Sequence, residues 1–282
     1  MFLAVCYIFY FTAATISPLQ RRLLSQAGHG SGYAPAFAFR ASIVVACLGL
    51  TLPFFEVAEL KGETWTLLLL ALTSGVFGAV SVSSQYWAQK HVEAGVTALA
   101  GNVYSPVVII LATLLLGEGL TPKQIVGTTL LFVALIAVSK DHHLGRLRFD
   151  KYLLAMIWSG AALGICLTAE RALINTTGFV TGTLLSWWAQ VGGLGLAALC
   201  FGTQTTFTLK DTLLTGILRF LQLLSWVLLV YAAGNMSIVS AVTTFKVVLI
   251  FILAAIFLKE RGNFALKITG SLIAAVGLLL MK

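Results

Sequence analysis

The stretch VSAVTTFKVVLIFILAAIF, residues 239–257, decides how the whole chain is read. Apart from a few hydroxyls and Lys246 it is apolar, and it is long enough to cross a bilayer. The ~30 Å hydrocarbon core takes about 20 residues of helix. A charge near the middle of such a helix costs roughly 2.5–3.5 kcal/mol on insertion scales, so a lysine kept there is expected to have a task.

The rest of the chain has the same character. Of its 282 residues, 59% are hydrophobic and only 10% charged, with a mean hydropathy of +0.97. A soluble domain needs more polar surface than that. Runs of spanning length predict ten helices, at 2–19, 34–55, 65–88, 95–116, 122–139, 151–171, 178–201, 212–233, 237–258 and 264–281. They leave no room for a globular domain in the linkers. Unbroken apolar runs point to helices rather than barrel strands, which alternate over ~10 residues, and backbone groups in lipid must be paired within the structure. The first run is followed by Arg21 and Arg22 and by no polar mature domain, so it reads as a retained helix. Cys6, Cys47, Cys166 and Cys200 lie in apolar runs without metal-ligand spacing, as small core residues do.

The formal charge of +8 is spread over inter-helix loops, which speaks for membrane orientation and against nucleic acid. Loops after odd-numbered spans hold eleven Lys and Arg residues, against four for the even-numbered loops and the C-terminus. The positive-inside rule then places both termini outside the cytoplasm. In the central loop KDHHLGRLRFDK, 140–151, His142 and His143 have no carboxylate or cysteine beside them and read as solvated.

The chain also repeats itself. LATLLLGEGLTPKQIVGTTLLFVALIAVSK (111–140) and ILAAIFLKERGNFALKITGSLIAAVGLLLMK (252–282) share a plan: an apolar tail, a glutamate (Glu118, Glu260), a polar-leaning stretch, then a glycine (Gly127, Gly270) inside another apolar helix. Upstream, GVTAL (95–99) falls opposite IVSAV (238–242), and SGVFG (74–78) opposite TGILR (215–219). Residues 1–140 and 150–282 are therefore expected to be two five-helix units. An odd helix number inverts the second copy, and inverted repeats mark secondary transporters with a midplane site.

Arg40, Arg219 and Lys246 lie well inside predicted spans. Arg40 is near enough to a helix end to snorkel. Arg219 and Lys246, on antiparallel neighbouring helices, are expected at similar depth. No carboxylate is read as lying deep enough to neutralise them; Glu170 falls at the end of its predicted span. An anionic ligand or a water-filled cavity is left to offset their cost. Helical spacing puts Arg219, Gln222 and Trp226 on one face and Ser240, Thr243 and Lys246 on another. Ser81, Ser84 and Gln85 make a third polar stripe, with Asn102 and Tyr104, and Trp187 and Gln190, as further candidates. Interhelical hydrogen bonding is the alternative for the small polar residues. No GxxxxGK[ST], HExxH or paired-acid motif is present, so neither a nucleotide-driven pump nor an intramembrane enzyme is expected, and no cofactor or metal is called for.

Two five-helix halves, each with a glutamate closing its fourth helix (LLLGE, IFLKE), and Arg40 in FAFRASIVVA together resemble EamA-like members of the drug/metabolite transporter superfamily. The resemblance implies alternating access and a central cavity lined by helices 1, 3, 4, 6, 8 and 9, with Tyr7 and Tyr10 facing it. It implies cargo among amino acids, sugars, nucleotide sugars, phosphorylated metabolites or organic cations, and a bacterial inner membrane as the location. Many members keep both termini in the cytoplasm, opposite to the loop charges. Triose-phosphate translocators of the superfamily hold phosphate with basic residues on the ninth helix. Lys246 is similar in place, but Val247 follows it where a second basic residue is usual. The expected function is carriage of small anionic or zwitterionic metabolites, with a coupling proton or counter-substrate, by a monomer or homodimer in lipid. A broad exporter of neutral or apolar compounds is the alternative, and a non-transporting membrane protein the remote one.

Overall fold

The computed structural model describes residues 2–26, 34–54, 56–57, 60–89, 91, 94–139 and 151–257, with positions 269, 273, 276, 277 and 280. The tenth predicted span, the central loop with His142 and His143, and Glu260 lie wholly or largely outside the described residues. Among these residues the chain is all-helical: α1 Phe2–Gln26, α2 Ala34–Gly49, α3 Thr64–Ala88, α4 Ala94–Gly101, α5 Tyr104–Leu111, α6 Pro122–Ser139, α7 Lys151–Thr177, α8 Phe179–Phe201, α9 Leu209–Ala233, α10 Met236–Thr243 and α11 Lys246–Phe257. Six of them (α1, α2 with the short turn after it, α3, α7, α8 and α9) are long and apolar enough to cross a membrane. The chain is an integral, multi-pass membrane protein.

Three helices outrun their predicted spans. Helix α1 continues to Gln26, drawing Arg21 and Arg22 into its last turns. Helix α7 continues to Thr177, which places Glu170 well inside a spanning helix rather than at its end. Helix α9 begins at Leu209 because Thr208 and Asp211 form a reciprocal capping box that satisfies its first free N–H groups.

Two predicted spans are not single helices. The fourth is α4 and α5, parted at Asn102 and Val103, and the ninth is α10 and α11, parted at Thr244 and Phe245. In the first, Pro106 has no N–H to give the Asn102 carbonyl, and Ser105 N bonds it instead at 2.9 Å, one residue short of the α-helical partner. In the second, the Thr243 and Thr244 hydroxyls both bond the Ser240 carbonyl, at 3.0 and 3.3 Å. Such back-bonding competes with the helical ladder. Thr244, Phe245, Val247 and Val248 accordingly donate to the carbonyl three residues back.

Packing is closest where side chains are smallest. A Cβ on Gly160 of α7 would stand 2.5 Å from the Gly101 carbonyl oxygen, and one on Gly193 of α8 2.5 Å from that of Gly75. Without a hydrophobic force between helices in lipid, such small-residue contacts supply the dispersion energy that joins them. Helix α3 packs along α7 and α8, α9 packs along α1 and α2, and α2 lies against α8. Exchanging α1, α2 and α3 with α7, α8 and α9 returns these five contacts, whereas α7 against α8 and α2 against α3 have no counterpart of like extent.

Candidate functional site

A cavity of about 120 Å³ lies between α1, α3, α4, α7, α9 and α11, room for several water molecules. Nine of the residues expected from sequence line it: Tyr10, Ser81, Gln85, Asn102, Tyr104, Arg219, Gln222, Trp226 and Lys246. Arg21, Gln89, Thr97 and Ser159 join them.

The floor is aromatic. Lys246 opens α11 directly after the helix break, so its ammonium stands at a discontinuity and not in the middle of an unbroken helix. Its Nζ donates to Tyr10 Oη at 3.0 Å and Tyr104 Oη at 3.2 Å. It also lies 4.4 Å from the Tyr104 ring centroid and 5.7 Å from that of Tyr10. Trp226 closes the group, 5.7 Å from Tyr10 and 6.1 Å from Tyr104 between centroids. Ring quadrupoles and phenol oxygens together offset part of the cost of the buried cation. Below this floor, Cys6, Val108, Ala112, Leu229, Val230, Met236 and Val239 form an apolar cluster. That end is fastened further by Arg171, which bonds Glu118 at 2.9 Å and the Gly234 carbonyl at 3.1 Å. Glu118 in turn accepts the Met236 N–H, and its carbonyl accepts the Ser237 hydroxyl.

The other end of the cavity is basic. Arg21 Nη1 donates to Gln85 Oε1 at 3.3 Å, its guanidinium 5.2 Å from the Tyr86 centroid. Arg22 donates to the Gln89 carbonyl at 3.1 Å, and Gln20 donates to Thr215 at 3.2 Å. The ends of α1 and α3 thus meet the start of α9. Arg219 is 7% exposed, and its Nη1 has no hydrogen-bond partner. No carboxylate lines the cavity among the described residues.

The remaining candidates stand outside the cavity. Ser240 Oγ donates to Ser105 Oγ at 3.1 Å and Thr243 Oγ1 pairs with Tyr104 Oη at 3.0 Å, so both hydroxyls are engaged where α10 crosses α5. Ser84 is half-buried on α3, and Tyr7 stacks on Phe11 at 6.1 Å. Trp187 and Gln190 sit in the α8 core, against Phe220 and Ser186 respectively. Arg40 is exposed on α2. Arg21, missed because Arg21–Arg22 reads as the end of a span, was signalled by spacing. Tyr10, Ala14, Pro18 and Arg21 follow i, i+4, i+8 and i+11 along one helical face, and all four line the cavity.

A polytopic helical membrane protein with a largely apolar central cavity that holds Arg21, Arg219 and Lys246 has the build of a small-molecule carrier. The EamA-like transporter family model matches residues 2–140, and the chain belongs to that family. It is a membrane transporter of small molecules, and the family's members are transporters rather than enzymes. A crystal structure of a protein 12% identical superposes with a TM-score of 0.68, covering 95% of this chain and 96% of that one. At that identity the likeness speaks for the fold alone. No curated protein matches the chain.

Proposed function

We propose that this transporter is a secondary carrier of small organic anions or zwitterions in a bacterial inner membrane, working by alternating access. Two inverted five-helix units, 1–140 and 150–282, are the expected frame. The packing that survives exchange of the halves supports it, as do two fourth helices broken at equivalent places. Asn102 donates to Thr244 at 3.2 Å and Lys246 to Tyr104, each pair 142 residues apart. Counterparts that touch each other are what a twofold axis through the breaks requires.

The observation that carries the anionic reading is Arg219. A guanidinium cannot shed its proton, and here one of its nitrogens is buried with no acceptor in a cavity without a carboxylate. A carboxylate or phosphate supplies that acceptor, in bidentate geometry. Arg21 adds charge toward the mouth. Lys246, already bonded by two tyrosines, is the second contact, and Trp226 and the tyrosines cover the apolar part of the solute. Ser240 and Thr243 support the floor through Ser105 and Tyr104.

Thermal unfolding in detergent tests this, against anionic, zwitterionic, neutral and cationic metabolites. A ligand at 100 times its dissociation constant stabilises by about 2.7 kcal/mol. Anions or zwitterions are expected to raise the midpoint of the wild type and to have no effect on the Arg219→Ala/Lys246→Ala double variant. Stabilisation by neutral or cationic compounds alone, surviving both changes, would overturn the anionic site and favour a broad exporter.

A further inference from the structure

The cavity does not account for Glu170. This side chain is 2% exposed, and its Oε1 has no hydrogen-bond partner. It lies six residues past the middle of α7, about 9 Å along the axis. Around it, Ser74 of α3 bonds Ser186 of α8 at 2.7 Å and contacts Cys166 Sγ at 3.6 Å, and Gln190 donates to Ser186 at 3.2 Å. Ser186 and Trp187 are within hydrogen-bonding reach of the carboxyl.

Among the described residues no cation pairs with it. On α7, Arg171 is committed to Glu118, and Cys166, one turn back, is a thiol. Helices α3 and α8 bring the neutral side chains Ser74, Ser186, Trp187 and Gln190 to this cluster. From α9, Arg219 acts electrostatically on Cys166, as Glu170 does with the opposite sign. A carboxyl that is buried, has an unpartnered oxygen and meets only neutral donors is relieved of its desolvation cost by taking up a proton.

The cluster is one wall away from the cavity. Gln190 packs against Gly78 of α3, where a Cβ would lie 2.6 Å from its Cγ, and Ser81 and Val82, a turn further, line the cavity. On α7, Leu163 and Leu167 line it, and Glu170 follows Leu167 at i+3 on the adjoining face. Any sliding of α3 along α7 therefore moves both sites.

We propose that Glu170 is a proton-binding site that couples transport to the proton gradient. The carboxylate takes up one proton from water on one side of the membrane and holds it as a neutral carboxyl in the sealed conformation seen here. It returns that proton to water when the α7 end of the bundle opens. This rests on alternating access, but its first test does not depend on the solute.

The test is infrared spectroscopy of the purified full chain in detergent, with the proton as the ligand. At pH 7 the wild type should show a protonated-carboxyl band that is absent from Glu170→Gln. The band should move without disappearing in Glu170→Asp, which covers the case of a poorly folded Gln variant. In the wild type it should vanish reversibly in one step as pH is raised. Overturning results are a spectrum without the band at pH 7, a band unchanged in both variants, or one that stays constant until the protein unfolds, the mark of a purely structural carboxyl. A wrong solute class would leave the band untouched, so failure of the ligand screen and failure here are separate results.

Discussion

In the first half of the molecule, the helix that leads to Glu118 is interrupted at Asn102 and Val103 because Pro106 lacks an N–H. In the second half, the helix that carries Lys246 is interrupted at Thr244 and Phe245, and no proline is near. Two threonine hydroxyls take the Ser240 carbonyl instead. The outcome is the same: an eight-residue helix, a two-residue break and a second helix opening with a cavity-lining residue, Tyr104 or Lys246. Different sequence causes thus lead to the same local geometry at the break. The chemistry is divided across it. One half contributes an aromatic acceptor, and the other a cation that the acceptor holds.

The largest effect should come from separating the two broken helices where they are tied. Arg171 joins Glu118, beyond the end of α5, to the Gly234 carbonyl, just before α10. Its side chain is 9% exposed and that of Glu118 12%. Removing one partner of a buried pair leaves the other uncompensated and costs about 3–5 kcal/mol. Arg171→Ala should lower the thermal midpoint by several degrees, as read by unfolding in detergent. A midpoint equal to wild type would mean that the two helices are not held as one unit at this end.

A smaller change, of opposite sign, is expected at the point where the halves differ chemically. Lys246→Met keeps length and removes the charge, and replacing buried ionic groups by apolar ones of similar volume is often neutral or stabilising. The variant should melt at or above the wild-type temperature, by about 1 kcal/mol, while anion-induced stabilisation falls at least tenfold in apparent affinity. A loss of several kcal/mol would make the ammonium a structural clamp between Tyr10 and Tyr104 rather than part of a site held at a cost to stability.

Hydropathy was enough to find the six helices that are long and apolar enough to cross a bilayer, because a lipid-crossing segment must be apolar over its whole length. It was a poor guide to where helices end. The pattern marks the hydrocarbon boundary, whereas the backbone stays helical for as long as neighbours or caps satisfy it. Arg21 therefore looked like a loop residue and Glu170 like a helix end, though both are inside helices that continue beyond the apolar run. The breaks were legible only in part. Pro106 is a local signal, but the Thr243–Thr244 pair breaks its helix through side-chain competition that any Thr-containing membrane helix offers and few realise. Faces were read well wherever the polar spacing was helical, as for Arg219, Gln222 and Trp226. Spacing had no means of saying that Ser240 and Thr243 spend their hydroxyls on the first half.

The finest comparison is between Asn102 and Thr244, the break residues themselves. Asn102 Nδ2 donates to Thr244 Oγ1 at 3.2 Å, and Thr244 Oγ1 also lies 3.3 Å from Ser105 Oγ. Asn102 Oδ1 has no partner and faces a cavity wall. Interhelical hydrogen bonds in membranes couple by about 0.6 kcal/mol on average, since the separated helices find other partners. A double-mutant cycle of Asn102→Ala and Thr244→Ala, read by thermal unfolding, should give a coupling of that order. Thr244→Ala should also relax the break by removing one of the two hydroxyls that compete for the Ser240 carbonyl, whereas Asn102→Ala leaves Pro106 in place and its break intact. Amide hydrogen exchange at residues 244–248 separates the two, with slower exchange expected in Thr244→Ala alone. Equal exchange in both variants would mean that the second break is imposed by packing against α5, and that the threonines only follow it.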